Sequence, residues 1–124
     1  MEDIRLITVN RKDIENPFGE DSGNLTSHLI KHPGLISEEA KFIQVELEIF
    51  DKKRQMTSTP LFVDLVFEDK NNIYPVEVKD DPSQVEMGKK QMLEYLQTFK
   101  EFLEIRGVDL KKHIVPVVAG ISEL

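Results

Sequence analysis

Residues 62–68, FVDLVFE, and residues 74–79, YPVEVK, are two apolar segments that carry charge in their interiors. Each has the length and composition of a β-strand, and the polar residues between them predict a hairpin turn. Charged side chains are rarely kept inside a buried strand unless something pairs with them. Asp64 in the first segment, and Glu77 and Lys79 in the second, are therefore candidate functional residues.

The second segment places its charges on one face. Glu77 and Lys79 are two residues apart and point the same way, whereas Val76 and Val78 point into the core. In a hairpin, Asp64 can lie alongside Glu77, and two carboxylates a few ångströms apart repel unless a cation sits between them. Mg²⁺, or Mn²⁺ in its place, suits such a pair, with the backbone carbonyl of Val78 as a further ligand.

Lys79 has two candidate roles beside such a metal ion. It neutralises charge that develops on a scissile phosphate, or it helps to deprotonate the attacking water. The alternative is structural: residues 77–79 form an exposed strand edge, and Asp64 belongs to a salt bridge. An Asp followed by a Glu-x-Lys triplet is a common pattern, so the pattern alone does not decide between these readings.

Length and composition limit the classes of protein to which the chain can belong. The chain has 124 residues, which suits one domain over residues 1–124, and its 40% hydrophobic and 31% charged content is typical of a globular protein. No apolar run is as long as a membrane span and the first residues lack a secretory pattern, so we expect no membrane association. Cysteine is absent, which excludes disulfides and cysteine-bound zinc and fits a cytoplasmic protein.

The chain carries a formal net charge of −7, which argues against a protein that coats nucleic acid. An enzyme that contacts DNA through a local basic patch is still compatible with this charge. Three basic clusters stand out: Lys52, Lys53 and Arg54; Lys89 and Lys90; Lys111 and Lys112. We expect Lys89 and Lys90 to lie along a DNA path, although surface lysines often serve only solubility.

The apolar patterns predict an α/β protein with a central mixed sheet flanked by helices. Residues 42–50 alternate with period two, which places Ile43, Val45, Leu47 and Ile49 on a buried face. Pro116 predicts that the last strand is an edge strand or contains a bulge. The predicted strands are residues 4–9, 42–50, 61–68, 74–79 and 113–119, and the predicted helices are residues 24–32 and 84–105.

The long helix carries a second polar pair. Gln91 and Tyr95 are four residues apart and share a face. A short loop joins the Glu77 strand to this helix, so its first turns pack near the end of that strand. Gln91 can then hydrogen-bond the lysine, a water or a phosphate, with Tyr95 orienting it. The alternative is an ordinary amphipathic helix with Tyr95 in the core.

Taken in order, these segments resemble the PD-(D/E)xK nuclease superfamily and are similar, more narrowly, to the catalytic domain of NucS/EndoMS-type endonucleases. The resemblance covers roughly residues 22–120 and rests on residues 29–36 (LIKHPGLI), 63–65 (VDL), 76–79 (VEVK), 91–95 (QMLEY) and 118–120 (VAG). It implies a restriction-endonuclease-like fold with an αβββαβ core, and a metal-dependent DNA endonuclease. It also implies metal ligation by Asp64 and Glu77, with Lys79 as catalytic lysine and Gln91 and Tyr95 in support.

The chain departs from this family at the first helix, which usually carries a glutamate. The matching positions hold Ser22, Asn24 and Ser27; the candidate replacements are Glu20 and Asp21, with Glu39 a weaker one. A second hypothesis therefore stays open, in which the chain is an inactive nuclease-fold module that binds nucleic acid or a protein partner. Few residues precede the first helix, so by fold-level analogy we expect a homodimer or a partner protein to supply the rest of the DNA-binding surface.

Overall fold

The computed structural model describes residues 4–14, 24–49, 61–107 and 111–122. Its elements follow the predicted order, except that the last strand is divided in two. They are β1 (Arg5–Asn10), α1 (Asn24–Lys31), β2 (Lys41–Ile49), β3 (Leu61–Glu68), β4 (Asn72–Lys79), α2 (Val85–Ile105), β5 (His113–Ile114) and β6 (Val117–Ser122). In this part of the chain, no helix is long and apolar enough to cross a membrane.

The strands form one mixed sheet of six strands in the order β1-β6-β4-β3-β2, with β5 paired to β4. β2, β3 and β4 pair antiparallel, whereas β4 pairs with β6, and β6 with β1, in parallel. Parallel neighbours need a long crossover, and α2 lies in the connection between β4 and β6. The predicted α/β class and mixed sheet are therefore confirmed.

The two helices pack on opposite faces of this sheet. Leu25 and Leu29 of α1 join one apolar cluster with Tyr74 and Val76 of β4. Met92 and Phe99 of α2 join a second cluster, which includes Val66, Ile73 and Val118 from the sheet. Met92 and Phe99 are fully buried, and burying side chains of this size contributes about 1.5–3 kcal/mol each. Because side chains alternate along β4, the α2 face also carries Glu77 and Lys79.

The prediction for β2 is wrong in part. Ile49 is fully buried, but Ile43 is 46% and Val45 44% exposed. β2 is the outer strand of the described sheet, and its pairing with β3 shifts register between Phe42 and Gln44. The shift breaks the period-two alternation on which the prediction depended.

Pro116 does not mark an edge strand. It lies between β5 and β6, and β6 runs between β1 and β4 in the interior of the sheet. A proline has no N–H to donate to a ladder, so the strand is interrupted at this residue and then resumes. Its carbonyl still accepts the N–H of Arg5 at 2.9 Å, which helps to hold β1 beside β6.

Candidate functional site

The β3–β4 hairpin opens at one end. Its backbone pairs run from Glu68–Ile73 to Leu65–Val76. From Val76 onward, β4 pairs with β6 on its other side, as far as Lys79 and Gly120. Asp64 Oδ2 accepts the N–H of Val78 at 2.8 Å. A carboxylate therefore takes the place of a backbone acceptor where the two strands part.

Glu77 and Lys79 lie together at this opening, as the alternation predicts. Lys79 Nζ is 3.4 Å from Glu77 Oε1, and the two side chains are 15% and 9% exposed. The Asp64 carboxyl group also lies beside that of Glu77. The structure thus brings Asp64, Glu77 and Lys79 to one place from two strands.

Burial changes the pKa of Asp64. It raises the pKa of this carboxyl above its ordinary value, and the negative charge of Glu46 adds to the rise. The Val78 N–H, the positive charge of Lys79 and the hydrogen bonding with Glu77 act in the opposite direction but do not cancel the effect. Two carboxylates here share one lysine, and an added cation would favour their ionised forms.

α2 begins shortly after Lys79 and packs on the same face. Asp81 accepts the N–H of Ser83 at 2.9 Å and its hydroxyl at 2.8 Å, which fixes the turn that leads into the helix. The stem of Lys79 lies against α2 at Gly88, where a Cβ atom would be 3.1 Å from Lys79 Cγ. The helix is therefore in direct contact with the candidate catalytic lysine.

Gln91 follows Gly88 by three residues and so lies on the same side of α2. Its Oε1 atom is buried and accepts no hydrogen bond from the described residues. A buried carbonyl oxygen without a donor is costly unless water or a ligand satisfies it. Tyr95 lies one helical turn further on, and its side chain is outside the described part of the structure.

The acids proposed as substitutes for a helix glutamate fall in two places. Glu20 and Asp21 lie outside the described residues. Glu39 lines a surface groove with Asp69 and Lys112, near the turn of the hairpin and away from its open end. Glu68 lines the same groove, so Glu39 lies near that end of β3 and not beside Asp64. Among the described residues, no three His, Asp or Glu side chains are grouped closely enough to hold a metal ion by themselves.

Sequence reasoning missed two residues at this site. Glu46 has a φ of 46°, which is uncommon for a residue other than glycine. Its neighbours Val45 and Leu47 pair with Leu65 and Val63, which places Glu46 across from Asp64. Nothing in the sequence signals this, because it depends on the irregular pairing of β2. The other residue is Gly88, and a glycine inside a helix pattern was the available signal.

The basic clusters differ in their surroundings. Lys89 is paired with Glu86 at 2.8 Å, and Lys90 beside it is exposed. Lys112 is paired with Glu68 at 3.0 Å, near the hairpin turn. Residues 52–54 lie outside the described ranges. Of these clusters, Lys89 and Lys90 lie on the helix that carries Gly88 and Gln91.

No family model, curated protein or solved structure matches this chain. The resemblance to PD-(D/E)xK nucleases stays a prediction from the sequence.

Proposed function

We propose that this chain is a metal-dependent DNA endonuclease of the PD-(D/E)xK type, with a restriction-endonuclease-like fold. The observation that carries the proposal is the meeting of Asp64, Glu77 and Lys79 where β3 and β4 part. A purely structural ion pair needs one carboxylate for one ammonium group. Here a second carboxylate lies half-buried beside the first, and burial raises its pKa.

The donors at this opening suit Mg²⁺ or Mn²⁺. Mg²⁺ is commonly held by one or two carboxylates, with waters and substrate phosphate completing its shell. Asp64 and Glu77 supply the carboxylates. The N–H of Val78 points toward Asp64, and the carbonyl of a strand residue points to the same side as its N–H. The Val78 carbonyl is thus directed toward the same opening, where it can serve as a third oxygen donor.

The roles of the side chains follow from their charges. A bound metal ion would activate a water molecule and polarise the scissile phosphate. Asp64 and Glu77 would hold the ion at the opening. Lys79, positioned by Glu77, stabilises the negative charge that grows on the phosphoryl oxygens in the transition state. The buried Gln91 oxygen accepts a hydrogen bond from water at the site, and the resemblance assigns Tyr95 a supporting role.

DNA would approach along the open end of the hairpin and the first turns of α2. Lys90 is exposed there, and Lys89 can exchange its surface contact with Glu86 for a phosphate, because such exposed pairs contribute little. The net charge of −7 favours the competing hypothesis, a module that binds nucleic acid or a protein partner without cutting DNA.

The test is a cleavage assay with Mg²⁺ or Mn²⁺ on duplex, branched, mismatched and single-stranded DNA. We expect cutting by the parent and none by Glu77→Gln. Glu68→Gln is the matched control, since Glu68 lies on β3 near the turn and pairs with Lys112. Failure of the parent to cut any of these substrates with either metal would overturn the proposal, and DNA binding without cleavage would favour the non-catalytic module.

A further inference from the structure

Two glycines let α2 pack tightly on the sheet. A Cβ on Gly120 of β6 would be 2.9 Å from Val85 Cγ2, on the first turn of α2. A Cβ on Gly88 would be 3.1 Å from Lys79 Cγ, 3.4 Å from Lys79 Cε and 3.2 Å from Val118 Cγ1. The Gly120 contact is thus between the helix and the sheet, whereas the Gly88 contact is mainly with a side chain of the candidate site.

The contacts at Gly88 constrain the direction of Lys79. A lysine side chain has a flexible four-carbon stem with many rotamers. Here the stem of Lys79 lies along the helix from Cγ to Cε. The ammonium nitrogen is bonded to Cε, so a group that displaces Cε also displaces Nζ from Glu77. Glycine destabilises a helix interior relative to alanine. Gly88 therefore lowers the stability of α2 unless packing requires a residue without a side chain.

We propose that Gly88 is a positioning residue for Lys79: its missing side chain forms a notch in α2 that holds the lysine stem and aims Nζ at Glu77 and the scissile phosphate. This inference rests on the proposed nuclease function. An error of about 1 Å in the placement of a catalytic group can cost about 100-fold in rate. A methyl group at Gly88 therefore acts on catalysis through Lys79, without touching the metal ligands.

The experiment is a double-mutant cycle of parent, Gly88→Ala, Lys79→Ala and the double variant, with Gly34→Ala as control because a Cβ there meets nothing within 4 Å. Contacts of 3.1–3.4 Å displace the lysine stem by a few tenths of an ångström, so we expect Gly88→Ala to lower the cleavage rate by about 3- to 10-fold and to leave the metal-induced rise in melting temperature intact. In the Lys79→Ala background the same change should cost no further rate. An equal loss of rate in both backgrounds would mean that Gly88 acts on packing alone.

Val118 offers a second discriminating variant. Adding Val118→Ala to Gly88→Ala removes the contact at 3.2 Å and leaves the two contacts with Lys79. We expect the cleavage rate to stay low. Recovery of the parental rate would assign the effect to Val118 and overturn the positioning role.

A measurement without DNA separates this inference from the nuclease proposal. The rate at which an amine-acylating reagent modifies Lys79, followed by peptide mass spectrometry, should rise in Gly88→Ala and stay at the parental value in Gly34→Ala, where an added Cβ meets nothing within 4 Å. Unchanged reactivity in Gly88→Ala overturns the positioning role, whether or not the parent cuts DNA. Raised reactivity in a protein that cuts nothing supports the notch and rejects the nuclease.

Discussion

The two ends of the β3–β4 hairpin hold two aspartates in opposite electrostatic states. At the turn, Asp69 accepts hydrogen bonds from the hydroxyls of Tyr74 and Ser37 and from the N–H groups of Asn71 and Asn72. These bonds, led by that of Tyr74, lower the pKa of Asp69 to about 2. At the open end, burial raises the pKa of Asp64.

The difference separates a carboxylate whose charge the protein stabilises from one whose charge is disfavoured by burial. Asp69 has both oxygens occupied by donors from the protein, so its charge is already stabilised and it closes the turn. The donor to Asp64 is the N–H of Val78, and a second carboxylate and the charge of Glu46 are nearby. Such an arrangement is stabilised by a cation from outside the chain.

The largest expected effect compares the two aspartates in catalysis. Asp64→Asn should lower the cleavage rate at least ~100-fold, as the loss of one electrostatic group at a reacting centre typically does. Asp69→Asn should leave the rate within a few-fold of the parent, because Asp69 bonds to Ser37, Tyr74 and the turn residues, away from the open end. Single-turnover rates with Mg²⁺ measure both, and equal rates for the two variants would remove the distinction between the two ends.

We expect the metal ion to bind at the open end of the hairpin and not at the turn. We expect Mg²⁺ or Mn²⁺ to raise the melting temperature, with about 2.7 kcal/mol of stabilisation when the free ion is at 100 times its Kd. Glu77→Gln should abolish this rise. Glu68→Gln, near the turn, should retain it in full. A rise of the same size in Glu77→Gln would show that the ion binds elsewhere.

Without metal, the free energy of unfolding should respond to the two substitutions in the opposite order, with the larger loss in Asp69→Asn. Asp69→Asn should lower the free energy of unfolding by about 1–3 kcal/mol at neutral pH, since five donors lose a charged acceptor. Asp64→Asn should leave it unchanged or raise it, because a desolvated carboxylate is removed.

The pH dependence sharpens this contrast. Because the folded pKa of Asp69 is lowered to about 2, its contribution is present above its unfolded pKa of about 3.9 and is lost as the pH falls toward 2. The raised pKa of Asp64 gives the reverse sign: its contribution is present below the unfolded pKa and is lost as the pH rises. Urea unfolding with a chelator from pH 2.5 to 7, in parent and both variants, tests these signs. If the free energy of unfolding of Asp69→Asn fell with decreasing pH as steeply as that of the parent, the acid dependence could not be assigned to Asp69.

Much of this contrast was predictable from local sequence. The alternation of Val76, Glu77, Val78 and Lys79 predicted which side chains share a face, and α2 begins at Val85 where residue 84 was predicted. The exposure of Ile43 and the position of Glu46 were not predictable, because both depend on irregular pairing between β2 and β3. The role inferred for Gly88 likewise depends on a contact between distant segments, which no periodicity encodes.

The smallest expected effect concerns DNA affinity, and it compares one lysine from each end. Lys90 lies on α2 beside the open end and Lys70 lies at the hairpin turn; both are exposed. Each phosphate contact changes the slope of log affinity against log salt by about 0.9. Lys90→Gln should therefore reduce that slope by about 1, whereas Lys70→Gln should leave it unchanged. Binding is measured with a chelator present, so that cleavage does not interfere. Equal slopes for the two variants would mean that DNA does not follow α2. A reduced slope in Lys70→Gln alone would place the DNA at the turn, where Asp69 has no catalytic partner.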